Sequence, residues 1–223
     1  MADASNPPVR TKLLALLLAS AFLSLTFPSL AQEAPPAKDP GKLAAHDDHQ
    51  GLLVAVDPLL KPEDYKARFG NKTPYVAGIV AIDAYFRNDT GTPIQIDLDV
   101  IRLTVTPPGE QQQDLSPLSA RDATAITLGS GKDPTKSRRK LPIPGMGGGE
   151  GKEFDELQGK LRSAALASDI LPPHATVHGL LYFDLDGHFE WINSSRFYVP
   201  DLKEMGSGKA LLFFDVPLAT TGS

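Results

Sequence analysis

A mainly-β fold, a sandwich of antiparallel strands with one or two inserted helices, is what this sequence predicts, and three observations carry that expectation. Six or so short stretches alternate apolar and polar residues at period two, turn-forming residues separate them, and only one stretch has clear helical periodicity. An alternating α/β sheet would need a helix between most strands. With 223 residues and 41% hydrophobic content, the chain can bury one sizeable core, and one domain is expected.

The first thirty residues follow a different pattern. Arg10 and Lys12 make a short cationic segment, and Leu13 to Leu25 is apolar except for Ser20 and Ser24. That run is shorter than the roughly 20 residues a membrane-spanning helix needs, but it fits the apolar core of a signal peptide. Pro28 ends the helix, and the small residues Ser29 and Ala31 stand three and one positions before a cut that leaves Gln32 as the new N-terminus. Residues 1–31 therefore read as a cleavable secretory signal. No twin arginine precedes the apolar run and no cysteine follows it to take a lipid, so a product without a permanent membrane anchor, periplasmic or secreted, is expected. Residues 32–50 begin with three prolines among mixed charges and read as a disordered linker. The β domain is expected over 51–217, with a polar tail over 218–223.

Within that domain Leu52, Leu53, Val54 and Val56 make a short strand ended by Asp57 and Pro58. A helical turn follows: Pro62 suits its first position, Glu63 and Asp64 its positive end, Lys66 and Arg68 its negative end, and Gly70 its close. Tyr75 to Arg87 is the strongest β signal, with Val76, Val80, Ile82, Ala84 and Phe86 on one face and Asp83 and Arg87 on the other. The turn residues Asn88 to Pro93 then predict a hairpin with the alternating run Ile94, Ile96, Leu98, Val100. The apolar phase shifts to Ile101, Leu103 and Val105, which predicts a bulge at Val100/Ile101. Glu110 to Asp114 reads as a solvated loop, Ser119 to Leu128 as a short helix, and Gly129 to Gly151 as a long mobile loop. Lys152 to Ala167 is the clear helix, with Phe154, Leu157, Leu161, Ala164 and Ala165 in one stripe. Val177 to Leu185 and Phe189 to Val199 are expected to form a second hairpin about Asp186-Gly187, a pair suited to a type I′ turn, and Leu211 to Val216 a last strand.

Two stretches, Gly78-Ile-Val-Ala-Ile-Asp-Ala-Tyr-Phe-Arg-Asn-Asp-Thr-Gly-Thr-Pro-Ile and Leu171-Pro-Pro-His-Ala-Thr-Val-His-Gly-Leu-Leu-Tyr-Phe, resemble exported bacterial immunoglobulin-like domains of uncharacterised function. The resemblance runs from about residue 51 to 217. It implies an immunoglobulin-like β-sandwich and an exported location, and no activity. The chain departs from immunoglobulin domains proper in lacking a cysteine pair, and the loop over 129–151 has no place in their pattern.

Composition excludes several functions. The absence of cysteine removes disulfides, thiolate catalysis, thiolate zinc sites and iron–sulfur clusters. A net charge of −5 argues against a general nucleic-acid binder, which needs a positive field. Gly145 to Lys152 lacks the glycine spacing of a phosphate loop and is followed by Glu153, where a magnesium-binding Ser or Thr would stand, so no cofactor is expected. Asp184-Leu-Asp-Gly187 opens like a calcium loop but has Ser195 where the closing glutamate belongs. Asp97 and Asp99 share a strand face, where the plainest reading is a wet surface. Ser194 and Ser195 lack the flanks of a nucleophile elbow.

Two site candidates remain. His46 and His49, with Asp47 and Asp48 between them, offer ligands for zinc, copper or nickel, and a helical turn would bring both rings to one face. Lys136, Arg138, Arg139 and Lys140 concentrate positive charge that would suit an acidic partner. The expectation is an exported, non-catalytic β-sandwich that binds an envelope or extracellular component. The alternative is a hydrolase or metal-binding periplasmic protein whose site, drawn from residues such as His178, His188, Asp184 and Asp186, no motif announces.

Overall fold

The computed structural model describes residues 38–129 and 148–218, the side chains of 148–150 excepted. The expected leader and the basic residues Lys136, Arg138, Arg139 and Lys140 lie outside the described residues. The fold is mainly β, built from three antiparallel sheets and, among the described residues, three α-helices, none of them long and apolar enough to cross a membrane.

Strands β1 (Ala45–His49), β2 (Leu52–Leu59), β3 (Ile79–Asn88) and β8 (Ala175–Asp184) form the first sheet, in that order. The second sheet is β10 (Leu202–Glu204), β4 (Ile94–Ile96) and β7 (Ile170–Leu171). The third is β11 (Phe214–Pro217), β9 (Arg196–Val199), β5 (Arg102–Val105) and β6 (Gln113–Leu115). Helices α1 (Pro62–Phe69), α2 (Ala120–Gly129) and α3 (Gly148–Ala164) complete the set.

The first sheet is covered differently on its two faces. Val54, Val56, Val80, Ile82, Ala84, Phe86, Leu181 and Phe183 meet residues of the other two sheets, among them Ile94, Leu103, Phe197 and Phe214, in the main core. Leu59, Ile79, Ala81, Leu180 and Tyr182 point the other way and pack under Tyr65 and Phe69 of α1, Ala123 of α2, and Leu157 and Leu161 of α3. The first half of β3, Ile79 to Ile82, is thus apolar on both faces, as a stretch buried between two layers must be.

Helix α1 is joined to the sheet by more than packing. The buried hydroxyl of Tyr65 donates to Leu59 O at 3.0 Å and accepts from Ala81 N at 2.7 Å, so it supplies the backbone of β3 with a partner where β2 ends. Tyr65→Phe should leave the Ala81 N–H buried and unpaired at a loss of about 1–3 kcal/mol. Urea unfolding would show it as a lower midpoint with an unchanged slope, and an unchanged midpoint would exclude it.

Helices α1 and α2 stand where the sequence places helices. Helix α3 begins at Gly148, inside the loop expected over 129–151, and ends at Ala164, short of the expected Ala167. An apolar stripe that nucleates a helix lets it extend over adjacent weak formers. Residues 130–147 of that loop lie outside the described residues. Several other expectations are corrected. The linker expected up to residue 50 gives way, because Gln50 (φ 54°) and Gly51 (φ 76°) make a tight turn that folds Ala45–His49 back along β2. Composition registered its few apolar side chains and missed the backbone pairing available to an alternating segment. Val76 is not in a strand: Pro74–Ala77 is a 3₁₀ turn closed by Gly78 (φ 81°), and Val76 is 71% exposed. The hairpin expected from β3 into β4 is a crossing between sheets, since β3 pairs with β2 and β8 while β4 pairs with β10 and β7. The phase shift before Ile101 comes from a 3₁₀ turn, Leu98–Val100, in place of a bulge, and the Asp97 carboxylate caps it by accepting from Asp99 N. Part of the loop expected over 110–114 pairs as β6. Asp186 (φ 53°) and Gly187 (φ 86°) do adopt positive φ, yet the 3₁₀ helix Phe189–Ser194 intervenes and carries the chain to β9 in the third sheet. The last strand starts at Phe214.

Candidate functional site

The residues singled out in the sequence do not converge. His46 and His49 lie three apart on a strand, where odd separations send side chains to opposite faces, so the helical turn that would unite them is replaced by an arrangement that parts them. His46 Nδ1 lies 2.7 Å from Leu43 O. His49 Nε2 lies 3.1 Å from Phe213 O, its ring stacks on Phe214 at 3.9 Å, and Gln50 Oε1 accepts from Leu212 N at 2.9 Å, so the β1–β2 turn is clasped to the start of β11. His178 and Asp184 are six residues apart on β8, about 20 Å at the rise of a strand, which separates the members of the hydrolase constellation. His188 contacts Glu190 at 3.0 Å and stacks on Trp191 at 4.2 Å. Asp97 and Asp99 line an open concavity of about 530 Å³ together with Asp169, Asp201 and Lys203.

A different group assembles on the outer face of the first sheet, beyond the edge of the helical layer. The register puts Asp57 of β2 directly opposite Asp83 of β3, and Tyr85 of β3 opposite His178 of β8. Cross-strand partners share a face, so these four side chains point the same way. Two carboxylates facing each other across a pair repel unless cations balance them. Two cations are present. Arg68, in the last turn of α1, stands 3.5 Å from Asp83 Oδ2, and Lys38 forms an ion pair with Asp57.

Asp83 is 4% exposed. The Tyr85 hydroxyl donates to its Oδ2 at 3.0 Å, whereas Oδ1 is buried with no hydrogen-bond partner and has His178 Nδ1 at 3.5 Å. The imidazole lies on the Tyr85 ring at 5.0 Å and 10° between planes, with about half its surface in solvent. A buried acceptor oxygen without a donor is unusual, because stripping its hydration is costly when no hydrogen bond replaces it. The arrangement is a carboxylate pair balanced by two cations, with one buried oxygen that lacks a hydrogen bond and lies against a half-exposed imidazole.

The remaining part of this face is crossed by residues 38–43. The Asp39 carboxylate accepts from Gly41 N and caps the 3₁₀ turn Pro40–Lys42, Pro40 is buried, and Leu43 packs on Leu53, Ala55 and Tyr85. This segment delivers Lys38 to Asp57.

Burial, reinforced by the charge of Asp83 and the hydrogen bond to it, pushes the Tyr85 phenol above its ordinary value of about 10. Burial does the same to Tyr65 and Tyr182. The folded protein then keeps protons that the unfolded chain releases, so this stabilisation is complete below about pH 10 and is lost as the pH rises beyond it. In a spectrophotometric titration these three phenols should ionise together with the loss of the fold. Reversible ionisation of all three at constant ellipticity would refute the expectation.

Sequence reasoning placed Asp83 with Arg87 on the polar face of its strand and missed Asp57 as its counterpart. One signal was present: Ile79, Ala81 and Tyr85 share the Asp83 face, so the aspartate stands inside a nearly unbroken apolar run.

No family model and no curated protein matches the chain. Among solved structures it is similar to a functionally unknown protein from Listeria monocytogenes EGD-e, at 13% identity over 77% of this chain and 79% of that one, with a TM-score of 0.34.

Proposed function

We propose that this chain is an exported, non-catalytic interaction module of the cell envelope, periplasmic or secreted, whose ligand-facing surface is the outer face of the first sheet around Asp83. In this reading the first and third sheets are the two layers of an immunoglobulin-like sandwich and the helices are insertions. One observation carries the binding reading: a buried carboxylate keeps one oxygen without a hydrogen bond, against a half-exposed imidazole. Groups held in place before a ligand arrives reduce the ordering cost of binding. The leader pattern from Arg10 to Ala31 supports export.

Protein expressed with its leader should be recovered outside the cytoplasm with Gln32 at its N-terminus by mass spectrometry, and should sediment with isolated envelope fractions. Asp83→Asn, which preserves shape and removes charge, should weaken that sedimentation at least several-fold. Retention of the leader, or equal sedimentation of the two proteins, would overturn the reading. The hydrolase reading has one observation in its favour, the contact between the Asp83 carboxylate and His178 Nδ1, which is how a carboxylate orients a general base. Hydrolysis of an ester substrate that disappears in His178→Ala, with envelope retention intact, would exchange the two readings.

A further inference from the structure

We propose that the bare end of strand β8, residues 175–178, is a pairing edge for a second copy of this chain, with the two strands antiparallel about Val177. The groups involved are backbone groups on the flank of the sheet, and pairing there does not depend on what the outer face around Asp83 binds.

Strand β8 stands at one end of the first sheet, so β3 takes only one of its two flanks. Successive residues of an antiparallel strand point their backbone groups alternately to the two flanks. Leu185 N donates to Gly78 O on the β3 side, whereas Leu166 N donates to Leu180 O at 3.0 Å and Leu118 N to Tyr182 O at 2.7 Å on the other. The even-numbered residues of β8 therefore face outward. Leu180 and Tyr182 are covered there by the chain's own segments. Thr176 and His178 continue the same flank, both are exposed, and among the described residues no backbone hydrogen bond reaches them from that side.

The other sheet edges among the described residues are blunted in the ways that prevent pairing with a second chain. Strand β1 carries Asp47 and Asp48, β10 carries Lys203 and Glu204, β6 carries Asp114, β11 ends in Pro217, and β7 runs into Pro172 and Pro173. Residues 175–178, Ala-Thr-Val-His, contain no proline, acid, lysine or arginine, and threonine and valine favour strands. A second copy suits this edge because the stretch is complementary to itself. A two-fold axis at Val177 sets Thr176 of each copy opposite His178 of the other, and each such pair exchanges both of its N–H···O bonds between the outward flanks. The half-buried Val177 side chains, on the core face with Phe86, meet each other across the axis. No like charges are opposed. The first sheets of the two copies join into one, with their outer faces on the same side.

Because the chain has no cysteine, single introduced thiols report on this geometry without interference. In the whole protein Val177→Cys should give a disulfide-linked dimer under mild oxidation, since residue 177 meets its own copy at a Cα separation of about 4.5 Å, within disulfide reach. Thr176→Cys is more exposed, yet its Cα stands about 8 Å from its copy and it should cross-link at least about tenfold more slowly. Sedimentation equilibrium without cross-linking should show dimers that Thr176→Pro weakens at least about tenfold, because it deletes an outward N–H and no bond of the β3–β8 ladder. Equal or reversed cross-linking rates would overturn the proposal. So would a wild-type protein that stays monomeric at about 1 mM, or a Thr176→Pro variant that dimerises as well as wild type. Thermal unfolding shows whether each variant is folded, and the two cysteine variants decide the matter if Thr176→Pro is unstable.

Discussion

Gly179→Ala should lower the melting temperature by about 10 °C, or prevent folding, although it adds a single methyl group. Gly179 lies on β8 where the chain leaving α3 passes closest: Ala165 bridges to Leu180, and Leu166 N donates to Leu180 O at 3.0 Å. A β-carbon at 179 would stand 2.5 Å from Leu166 N, 2.6 Å from Leu166 Cα and 2.8 Å from Ala165 C. All three are backbone atoms, which cannot swing aside as a side chain can. Overpacking typically costs about 1–3 kcal/mol, and rigid neighbours place this case at the upper end. At about 2–4 °C per kcal/mol for a domain of this size, the shift follows. Gly159→Ala is the matched control. It makes the same chemical change inside α3, where nothing lies within 4 Å, and should stabilise by about 0.5–1 kcal/mol through helix propensity. Equal melting temperatures for the two variants would show that the close approach at 179 is not a constraint.

Asn88→Asp should be nearly as damaging at neutral pH and should recover on acidification. Asn88 is wholly buried at the end of β3. Its amide nitrogen donates to Thr92 O at 2.8 Å and faces Pro172 O at 3.1 Å and Leu171 O at 3.3 Å, while its oxygen accepts from Thr90 N and Thr90 Oγ1. One side chain thus ties the crossing from β3 to β4 to the approach to β8. A carboxylate would turn a second oxygen toward three carbonyl oxygens, at a cost of about 3–5 kcal/mol for an uncompensated buried charge. The repulsion raises the folded-state carboxyl above its unfolded value of about 3.9, so the charge penalty is absent below that value and grows as the pH rises through the folded one. Urea midpoints at pH 7 and pH 4 should therefore show a wide gap from wild type that narrows at the lower pH. A gap of equal width at both would mean that geometry, and not charge, is responsible. Asn88-Asp89-Thr90 also matches the Asn-x-Ser/Thr pattern that glycosylation requires, and its amide nitrogen is engaged inside the folded protein.

How much could be read in advance depended on whether a feature was local. Helix α1 was legible because Pro62, its acidic first turn and Gly70 are all local, the helix spanning 8 residues and Gly70 closing it. The apolar stripe of α3 was legible for the same reason, since Leu157 and Leu161 fall on one face at helical spacing. The hairpins expected after β3 and β8 were misread because turn chemistry specifies a reversal of direction and does not specify which strand receives the returning chain. Ile94 falls on the buried side, as the alternation from Ile94 to Val100 implies, yet its strand pairs with β7 and β10, partners chosen by packing of the whole core. The candidate site fared worst. Asp57 and Asp83 become neighbours only through the register of β2 against β3, and Lys38 joins them from a stretch whose composition suggested no structure.

The clasp between the β1–β2 turn and the start of β11 bears on the timing of folding. His49 meets Phe213, and Gln50 meets Leu212, across 164 and 162 positions of sequence. Contacts of that range are slow to form, because loop-closure entropy is spent before any packing offsets it. On a ribosome, or in any passage that delivers the chain from its N-terminal side, the β1–β2 edge waits with its aromatic partner still missing until Phe214 emerges. The hairpin is therefore exposed while the 164 positions from His49 to Phe213 are made, and its acidic residues Asp47 and Asp48 place charge on an edge that would otherwise invite pairing with another chain.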